Sequence, residues 1–391
     1  MINTSFKLYN LHISAALVML LILFFETVSA QIEHGTDKSI FRGAAGITVG
    51  GMQQQWVLKD STGKKFGTLL QQSAPVAVSI PLANRLLLSV SNSGAISSFD
   101  TASSTNIVDT RVSMSYVFPG EKFWLTGGVS VPTGKTELDA SELHLTTLLG
   151  QTALGYKVPM FGQGITGNVS LVYAGTLTRR MVLGVGLSYF YKGPFKPLKG
   201  SAVEYDAGDE ISLNVGYDYI TFGKSARFSI DVTSTYFFKD EVSGSGPVFE
   251  SGPRTIATVI YNLKTESVNH AAMVRARYRL PNDFISSGKK YDASLQLEGQ
   301  YSLGTQLGAK VYATLIGEGK YYTPDQIPSG ITYIETGEAQ IGAAGADVIL
   351  LFWESVMPTL GARYALGSIS IAGATYDVNG LEANVGLKIS F

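Results

Sequence analysis

The sequence predicts an all-β fold: a transmembrane, antiparallel, up-and-down β-barrel of about 14 strands, within a range of 12 to 16. Three observations predict this fold class. Most of the chain alternates between apolar and polar residues with a period of two, residues 383–391 do so up to a final phenylalanine, and the start of the chain carries an apolar export segment. Alternation over about eight to twelve residues predicts strands with lipid on one side and water on the other.

The first 30 residues have the pattern of a signal peptide. Lys7 precedes an apolar run over 13–25, and Val28-Ser29-Ala30 supplies small residues at the cleavage positions. That run is about 13 residues, short of the ~20 that cross a bilayer as a helix. We therefore expect 1–30 to be removed, 31–391 to form a single barrel, and the exported protein to reside in the outer membrane of a Gram-negative cell.

Composition narrows the class of protein further. The chain has no cysteine, which suits a barrel whose strands are all paired and needs no disulfide. The formal net charge is −1 with scattered lysines and arginines, so nucleic acid is not expected as a partner. The histidines beyond the signal peptide are His34, His144 and His270. With so few ligands and no phosphate-binding loop, the sequence predicts no metal site and no cofactor.

Several segments alternate over a length that can span a membrane. These candidate strands are 111–118, 167–177, 182–192, 210–219, 227–238, 274–280, 294–301 and 310–321. Longer segments rich in Gly, Pro and charge separate them and are expected on the outer side of the membrane. These candidate loops are 132–148, 193–208, 239–252, 281–290 and 323–346. This assignment treats 349–366 as one long strand and leaves the direction of the strands before residue 181 open.

The last strand is expected to close the barrel. Leu387, Ile389 and Phe391 share its apolar face, and Lys388 and Ser390 lie on the other. A strand that ends in an aromatic residue resembles the signal read by the barrel assembly machinery, so we expect that machinery to be a partner. Membrane lipid is the other partner that this apolar face predicts.

An arginine ladder is the strongest candidate for a functional site. Arg275, Arg277 and Arg279 share one strand face, and facing lipid would cost each about 2–4 kcal/mol near the bilayer midplane. They are therefore expected in the lumen, where Glu298 on the next strand could pair with one of them. The other expected lumen or constriction residues are Gln296, Arg227, Asp231, Asn214, Asp218, Glu318 and Lys320. Such a set fits either a selective pore or an internal ion-pair network that plugs the barrel.

Short motifs resemble an outer-membrane β-barrel family named for the MetA pathway of phenol degradation, whose members are described as transporters. The resemblance rests on five patches within about residues 75–391, namely 80–88, 109–118, 128–135, 208–210 and 358–364. It implies a barrel that passes small compounds, including hydrophobic or aromatic ones. The Asn-Pro-Ala motif associated with long-chain fatty-acid barrels is absent from the sequence.

The sequence thus predicts a channel or transporter for passive passage of small-molecule solutes. Two other classes stay open: a barrel that scaffolds a surface or secretion complex, and an outer-membrane lipid enzyme. Ser141 and His144 lie close together beside acidic residues, but proximity in a polar loop does not make a catalytic triad. The chain is therefore expected not to be an enzyme.

Overall fold

The computed structural model describes residues 41, 45–100, 102–135, 137–156, 164–221, 225–285, 287–329, 332–353 and 355–391. The segment 1–30, expected to be a signal peptide, lies outside the described residues. No helix in the described part of the chain is long and apolar enough to cross a membrane.

The strands follow one another along the whole described chain. The first eleven are β1 (Gly46–Lys59), β2 (Lys65–Ala83), β3 (Leu86–Phe99), β4 (Ala102–Ile107), β5 (Thr110–Val117), β6 (Phe123–Val131), β7 (Thr166–Thr178), β8 (Met181–Lys192), β9 (Tyr205–Asp206), β10 (Glu210–Ile220) and β11 (Ala226–Phe237). The others are β12 (Lys239–Val242), β13 (Gly246–Glu250), β14 (Arg254–Lys264), β15 (Val268–Arg279), β16 (Asp283–Phe284), β17 (Lys289–Lys290), β18 (Ser294–Gln306), β19 (Val311–Tyr322), β20 (Asp325–Ser329), β21 (Thr332–Thr336), β22 (Ala339–Leu350), β23 (Val356–Ile371) and β24 (Ala374–Ser390). Between β6 and β7 lie helix α1 (Ala140–Leu149) and a 3-10 turn (Thr152–Leu154).

Seventeen of the described strands form one closed antiparallel sheet. β4 and β5 pair with successive stretches of β3, so they occupy one position in the ring, which therefore has 16 positions. The barrel closes where β24 pairs with β1 from Gly46↔Ser390 to Lys59↔Asp377. The predicted all-β antiparallel barrel is confirmed, and its 16 strand positions stand at the top of the expected range rather than at the expected 14.

Alternation along the strands separates an apolar outer face from a mixed inner face. In β24, Leu381, Val385 and Leu387 are exposed on the outside, whereas Glu382 and Asn384 point to the inside. The same parity runs through the cross-strand pairs all the way around the ring. An exposed apolar belt of this extent is unfavourable in water and matches the hydrocarbon of a bilayer.

The long connections all lie at one end of the barrel. The described chain ends at the same end as the short turns 84–85, 179–180 and 351–355, which we call the short-turn mouth. The long connections, including 132–165 and 193–209, lie at the other end, which we call the loop mouth. This resolves the strand direction before residue 181, because the turn at 179–180 and the long segment after β6 lie at opposite ends.

Two expectations about the last third of the chain are wrong. Residues 349–366 are not one strand, since the turn 351–355 separates β22 from β23. The segment 323–346 is not wholly a loop, because it contains the β20–β21 hairpin and the first eight residues of β22. The hairpin between β23 and β24 turns at Ala372-Gly373, where both residues have positive φ, as a tight two-residue hairpin turn requires.

A second, small sheet lies at the loop mouth. It joins β9, β12, β13, β16 and β17, which come from three successive long connections. Leu138, just before α1, makes an isolated bridge with Leu198 in one of these connections. The loop segments therefore hold one another in place at the loop mouth.

The lumen as the candidate functional site

Helix α1 is folded into the barrel. Leu145, Leu148 and Leu149 are buried in a cluster with inward-facing residues of six strands. The wall residues in this cluster include Trp56 and Leu58 of β1, Leu69 of β2, Tyr322 of β19, Ile341 of β22, Ala365 and Ile369 of β23, and Val378 of β24. Only the concave inside of the barrel lets one helix contact so many strands, so α1 is an internal plug against this part of the wall.

Close approach of the wall strands helps to seat this plug. Trp56 lies over Gly380, where an added Cβ would come 2.7 Å from the indole ring. Because glycine has no Cβ, β24 leaves room for the indole on the inner wall. The indole is then free to join the apolar cluster around α1.

Glu142 anchors the start of the helix. It accepts hydrogen bonds from the Ser104 hydroxyl at 2.7 Å and from the Asp139 backbone N–H at 3.0 Å, and it pairs with Lys135. The carboxyl is 8% exposed. Burial opposes ionisation, but the bonds from Lys135, Asp139 and Ser104 outweigh it and hold the pKa of Glu142 below its ordinary value. The ionised carboxylate therefore ties α1 to β4.

Three hydrogen bonds fix the segment after α1. The ammonium of Lys320 donates to the Ala153 carbonyl at 2.9 Å, and Gln54 donates to the Gly155 carbonyl at 3.1 Å. The Tyr156 hydroxyl donates to the Leu69 carbonyl at 2.9 Å. Each bond joins the plug to a different strand, β19, β1 or β2, so the plug is held at both ends of the helix.

Next to this contact, Arg363 is the centre of a charge network in which carboxylates balance its positive charge. Its guanidinium reaches three carboxylates: Glu318 at 3.2 Å, Asp347 at 3.5 Å and Glu382 at 3.7 Å. Gln54 also donates to Glu382 at 3.0 Å. A partly open cavity of about 70 Å³ lies here between the wall and the plug, with room for a few water molecules and too little for most organic solutes.

The arginine ladder forms a different kind of charged surface on β14 and β15. Arg275 pairs with Glu298 at 3.4 Å, Arg277 donates to the neutral Gln296, and Arg279 pairs with Asp325. Arg254 of β14 lies directly opposite Arg279 in the register. Positive charge therefore accumulates on the inner wall toward the loop mouth.

The wall from β6 to β11 carries mainly small or uncharged side chains on its inner face. These include Gly128 and Thr126 of β6, Asn168 and Ser170 of β7, Gly186 and Ser188 of β8, Asn214 and Gly216 of β10, and Thr233 of β11. Asn214 donates to Thr233 at 2.8 Å, and Asp231 is exposed on the same face. Nearer the short-turn mouth, Arg227 makes a two-pronged bond to Asp218 at 3.1 and 2.6 Å. This wall is the part of the lumen best suited to hold water and solute.

Every residue that the sequence suggested for the lumen lies on the inner face. The structure brings Arg275, Glu298 and Gln296 together, and it joins Arg227 with Asp218. It places Glu318 and Lys320 elsewhere, in the Arg363 network and in the plug contact. Whether any of these residues constricts a conducting path stays a prediction.

The plug, Arg363 and Arg254 were missed by sequence reasoning. The plug had a local signal: Asp139 followed by Glu142 is a capping pattern, Leu145, Leu148 and Leu149 share one helix face, and Gly150 follows. The partners of Arg363 and Arg254 had no such signal, because they become neighbours only through the strand register.

The last strand lies as expected in the ring. Leu387 and Ile389 pair with Val49 and Ile47 of β1, and Phe391 continues this outer face with its ring 56% exposed. Recognition of this strand by the assembly machinery stays a prediction.

His270 is the one histidine beyond the expected signal peptide whose side chain the structure describes. His270 lies on the outer face of β15, and its Nδ1 atom is 2.7 Å from the Tyr301 hydroxyl, an arrangement typical of an interfacial pair. His34 and the side chains of Ser141 and His144 lie outside the described part of the structure.

Known structures of outer-membrane barrels resemble this chain. An outer-membrane channel from Pseudomonas putida F1 is 10% identical with a TM-score of 0.37, covering 89% of this chain and 96% of its own. An anion-selective porin from Comamonas acidovorans is 11% identical with a TM-score of 0.41, covering 88% and 98%. A TodX mutant described as a monoaromatic hydrocarbon channel is 11% identical with a TM-score of 0.41, covering 90% and 91%. At these values the likeness is one of barrel architecture alone.

No protein-family model matches the chain, and no curated protein matches it.

Proposed function

We propose that this protein is an outer-membrane channel for the passive passage of small-molecule solutes. The observation that carries the proposal is the combination of an apolar outer face with a polar inner face that α1 occupies on one side. Lipid outside and water inside satisfy both faces of a closed barrel at once. The outer membrane of a Gram-negative cell is the bilayer in which such barrels function.

The conducting path runs between α1 and the wall from β6 to β11. The opposite wall is sealed by the cluster around Leu145 and by the hydrogen bonds of Lys320 and Gln54. Small side chains such as Gly186 and Ser188 leave width on the open side, and Asp231 keeps it hydrated. A solute that enters from the loop mouth passes the arginine ladder first, so Arg275, Arg277 and Arg279 set the local field of the path.

The substrate class within this function is small organic compounds, including hydrophobic or aromatic ones. The resemblance of five short sequence patches to the MetA-pathway transporter family supports this choice. Insertion into the membrane depends on the barrel assembly machinery, which would read β24 through Leu387, Ile389 and Phe391.

Conductance in planar lipid bilayers tests the channel. Wild-type protein should give discrete current steps, and replacing residues 137–156 by a short Gly-Ser linker should increase the step size several-fold by removing the plug. A matched control shortens the β12–β13 hairpin outside the barrel, which should leave the step size unchanged. Folded wild-type protein without conductance, together with a plug-free variant that conducts, would favour a plugged scaffold barrel instead.

A further inference from the structure

The arginines at the loop mouth carry more positive charge than the nearby acids compensate. Arg254 and Arg279 face each other across β14 and β15, and Arg277 is the next inward residue on β15. Like charges at directly opposed strand positions repel each other. Arg254 is repelled by Arg277 as well as by Arg279, and it is attracted by Glu210.

The neighbouring carboxylates are already engaged. Glu210 pairs with Lys192 at 2.7 Å, Asp325 pairs with Arg279, and Glu298 pairs with Arg275 while accepting a bond from Tyr322. Arg277 bonds to Gln296, which is neutral. Among the side chains that the structure describes, five cations, counting Lys192, thus share three carboxylates in this part of the wall.

The same arginines present donors that lack acceptors. The Nε atoms of Arg254, Arg277 and Arg279 are all buried and have no hydrogen-bond partner among the described residues. A buried N–H without an acceptor is unfavourable, and three of them occupy neighbouring positions. The Arg254 guanidinium lies over the Phe237 ring, 5.1 Å from the ring centroid. This cation–π contact holds the N–H donors of Arg254 in place.

We propose that Arg254, Arg277 and Arg279 form a binding site for the carboxylate of a small organic acid at the entrance to the lumen. A carboxylate supplies the missing negative charge and accepts paired N–H bonds from planar guanidinium groups. Ile256 lies opposite Arg277 on the inner face and gives the site an apolar side for the body of the acid. This binding site deepens the proposed function, because it predicts that the solute carries a negative charge. The site rests on the proposed function only for the direction in which the acid passes.

Binding of benzoate to the folded protein in detergent tests the site by isothermal titration calorimetry. Wild type should bind benzoate saturably, and benzamide, its neutral analogue, at least about tenfold more weakly, since the charge-assisted bonds are lost. Arg254→Gln and Arg277→Gln should each weaken benzoate binding by about tenfold or more. Arg111→Gln, which removes one lumen-facing arginine of β5, should leave the affinity unchanged. Heat-modifiable gel mobility shows that each variant is folded.

Several outcomes would overturn the proposal. One is folded wild-type protein that binds no benzoate; a second is benzamide binding as well as benzoate. A third is equal loss in Arg111→Gln, which would indicate a diffuse charge effect. Inorganic phosphate binding while benzoate does not would assign the arginines to a different oxyanion. Because calorimetry needs no conduction, benzoate binding without measurable conductance would contradict the channel and leave the site standing.

Discussion

The two sides of the barrel's inner wall differ in what their side chains contact. Between β19 and β2 the wall packs an apolar cluster against α1, and its charged side chains either bind the plug, as Lys320 does, or belong to the Arg363 network. Between β6 and β11 it is lined by small polar residues such as Ser188 and Asn214. One barrel thus combines a sealed wall, which holds the plug, with an open wall, which leaves space beside the plug.

The two arginine sites show the same division. Arg363 faces three carboxylates, whereas Arg254, Arg277 and Arg279 have fewer carboxylates than cations around them. A charge that is compensated within the protein serves its stability. A surplus of charge at a lumen mouth is available to ions and solutes.

Removing the plug should change the conductance more than any other variant does, because the wall now sealed by α1 would then face the open lumen. The linker variant that replaces 137–156 should conduct several-fold more than wild type in planar bilayers. An unchanged step size in a folded variant would mean that α1 does not limit the path.

Arg363→Gln should destabilise the barrel through the sealed wall. Glu318, Asp347 and Glu382 would face one another without their cation, at a cost of about 2–4 kcal/mol, less than for a fully buried pair because the Arg363 side chain is 25% exposed. Denaturant unfolding in detergent measures the loss. If Arg363→Gln were as stable as wild type at neutral pH, the Arg363 network would not be a source of the barrel's stability.

Removal of Phe391, which directly follows β24, should reduce insertion without changing the lumen. Deletion of Phe391, or Phe391→Ala, should lower the amount of folded barrel in outer-membrane fractions, and the inserted fraction should conduct normally. Lys388→Gln, on the inward face of the same strand, is the matched control. Normal insertion of the deletion variant would show that recognition lies elsewhere.

Charge reversal on the ladder should shift selectivity on the open side. Arg277→Glu should move the reversal potential in a salt gradient toward cation preference, because the local field changes sign. The bond that Arg277 donates to Gln296 is then lost, so folding is checked by gel mobility. A folded, conducting variant with the wild-type reversal potential would place Arg277 away from the path.

The smallest effect concerns pH and the docking of α1. Because the pKa of Glu142 lies below its ordinary value of 4.5 in the folded state, its stabilisation is present above that value and disappears as pH falls through the lowered pKa. Wild-type channels should therefore show more open-state fluctuation in strong acid. Glu142→Gln should fluctuate at neutral pH as well, having lost about 1–3 kcal/mol of charged hydrogen bonding. If wild type and Glu142→Gln showed the same current noise at neutral pH, Glu142 would not be what holds α1 in place.

The fold class could be predicted from the sequence, because alternation in segments such as 210–219 and 383–391 is strong. The predicted number of strands, about 14, was lower than the 16 positions of the ring for physical reasons. β1 to β4 are rich in glutamine, serine and glycine, which weakens their alternation, and the turn after β22 contains Leu351, Phe352 and Trp353 rather than polar turn residues.

The lumen face of each residue could be predicted, but its partners could not. Parity alone places Arg275 and Glu318 inside. Whether Glu318 pairs with the ladder or with Arg363 depends on the register of β19, β22 and β23. The plug escaped because a helix of ten residues in a long polar segment gives only a weak signal beside 16 strand positions.

Cysteine accessibility can locate the conducting path beside α1, since the native chain has no cysteine. Asn214→Cys lies on the open wall, Leu213→Cys faces lipid, and Ala365→Cys lies behind the plug. A charged, membrane-impermeant thiol reagent should react rapidly with Asn214→Cys alone and reduce its conductance, leaving the currents of the other two unchanged. Rapid block at Ala365→Cys, with Asn214→Cys unaffected, would show that solutes pass on the other side of α1 and would contradict the account.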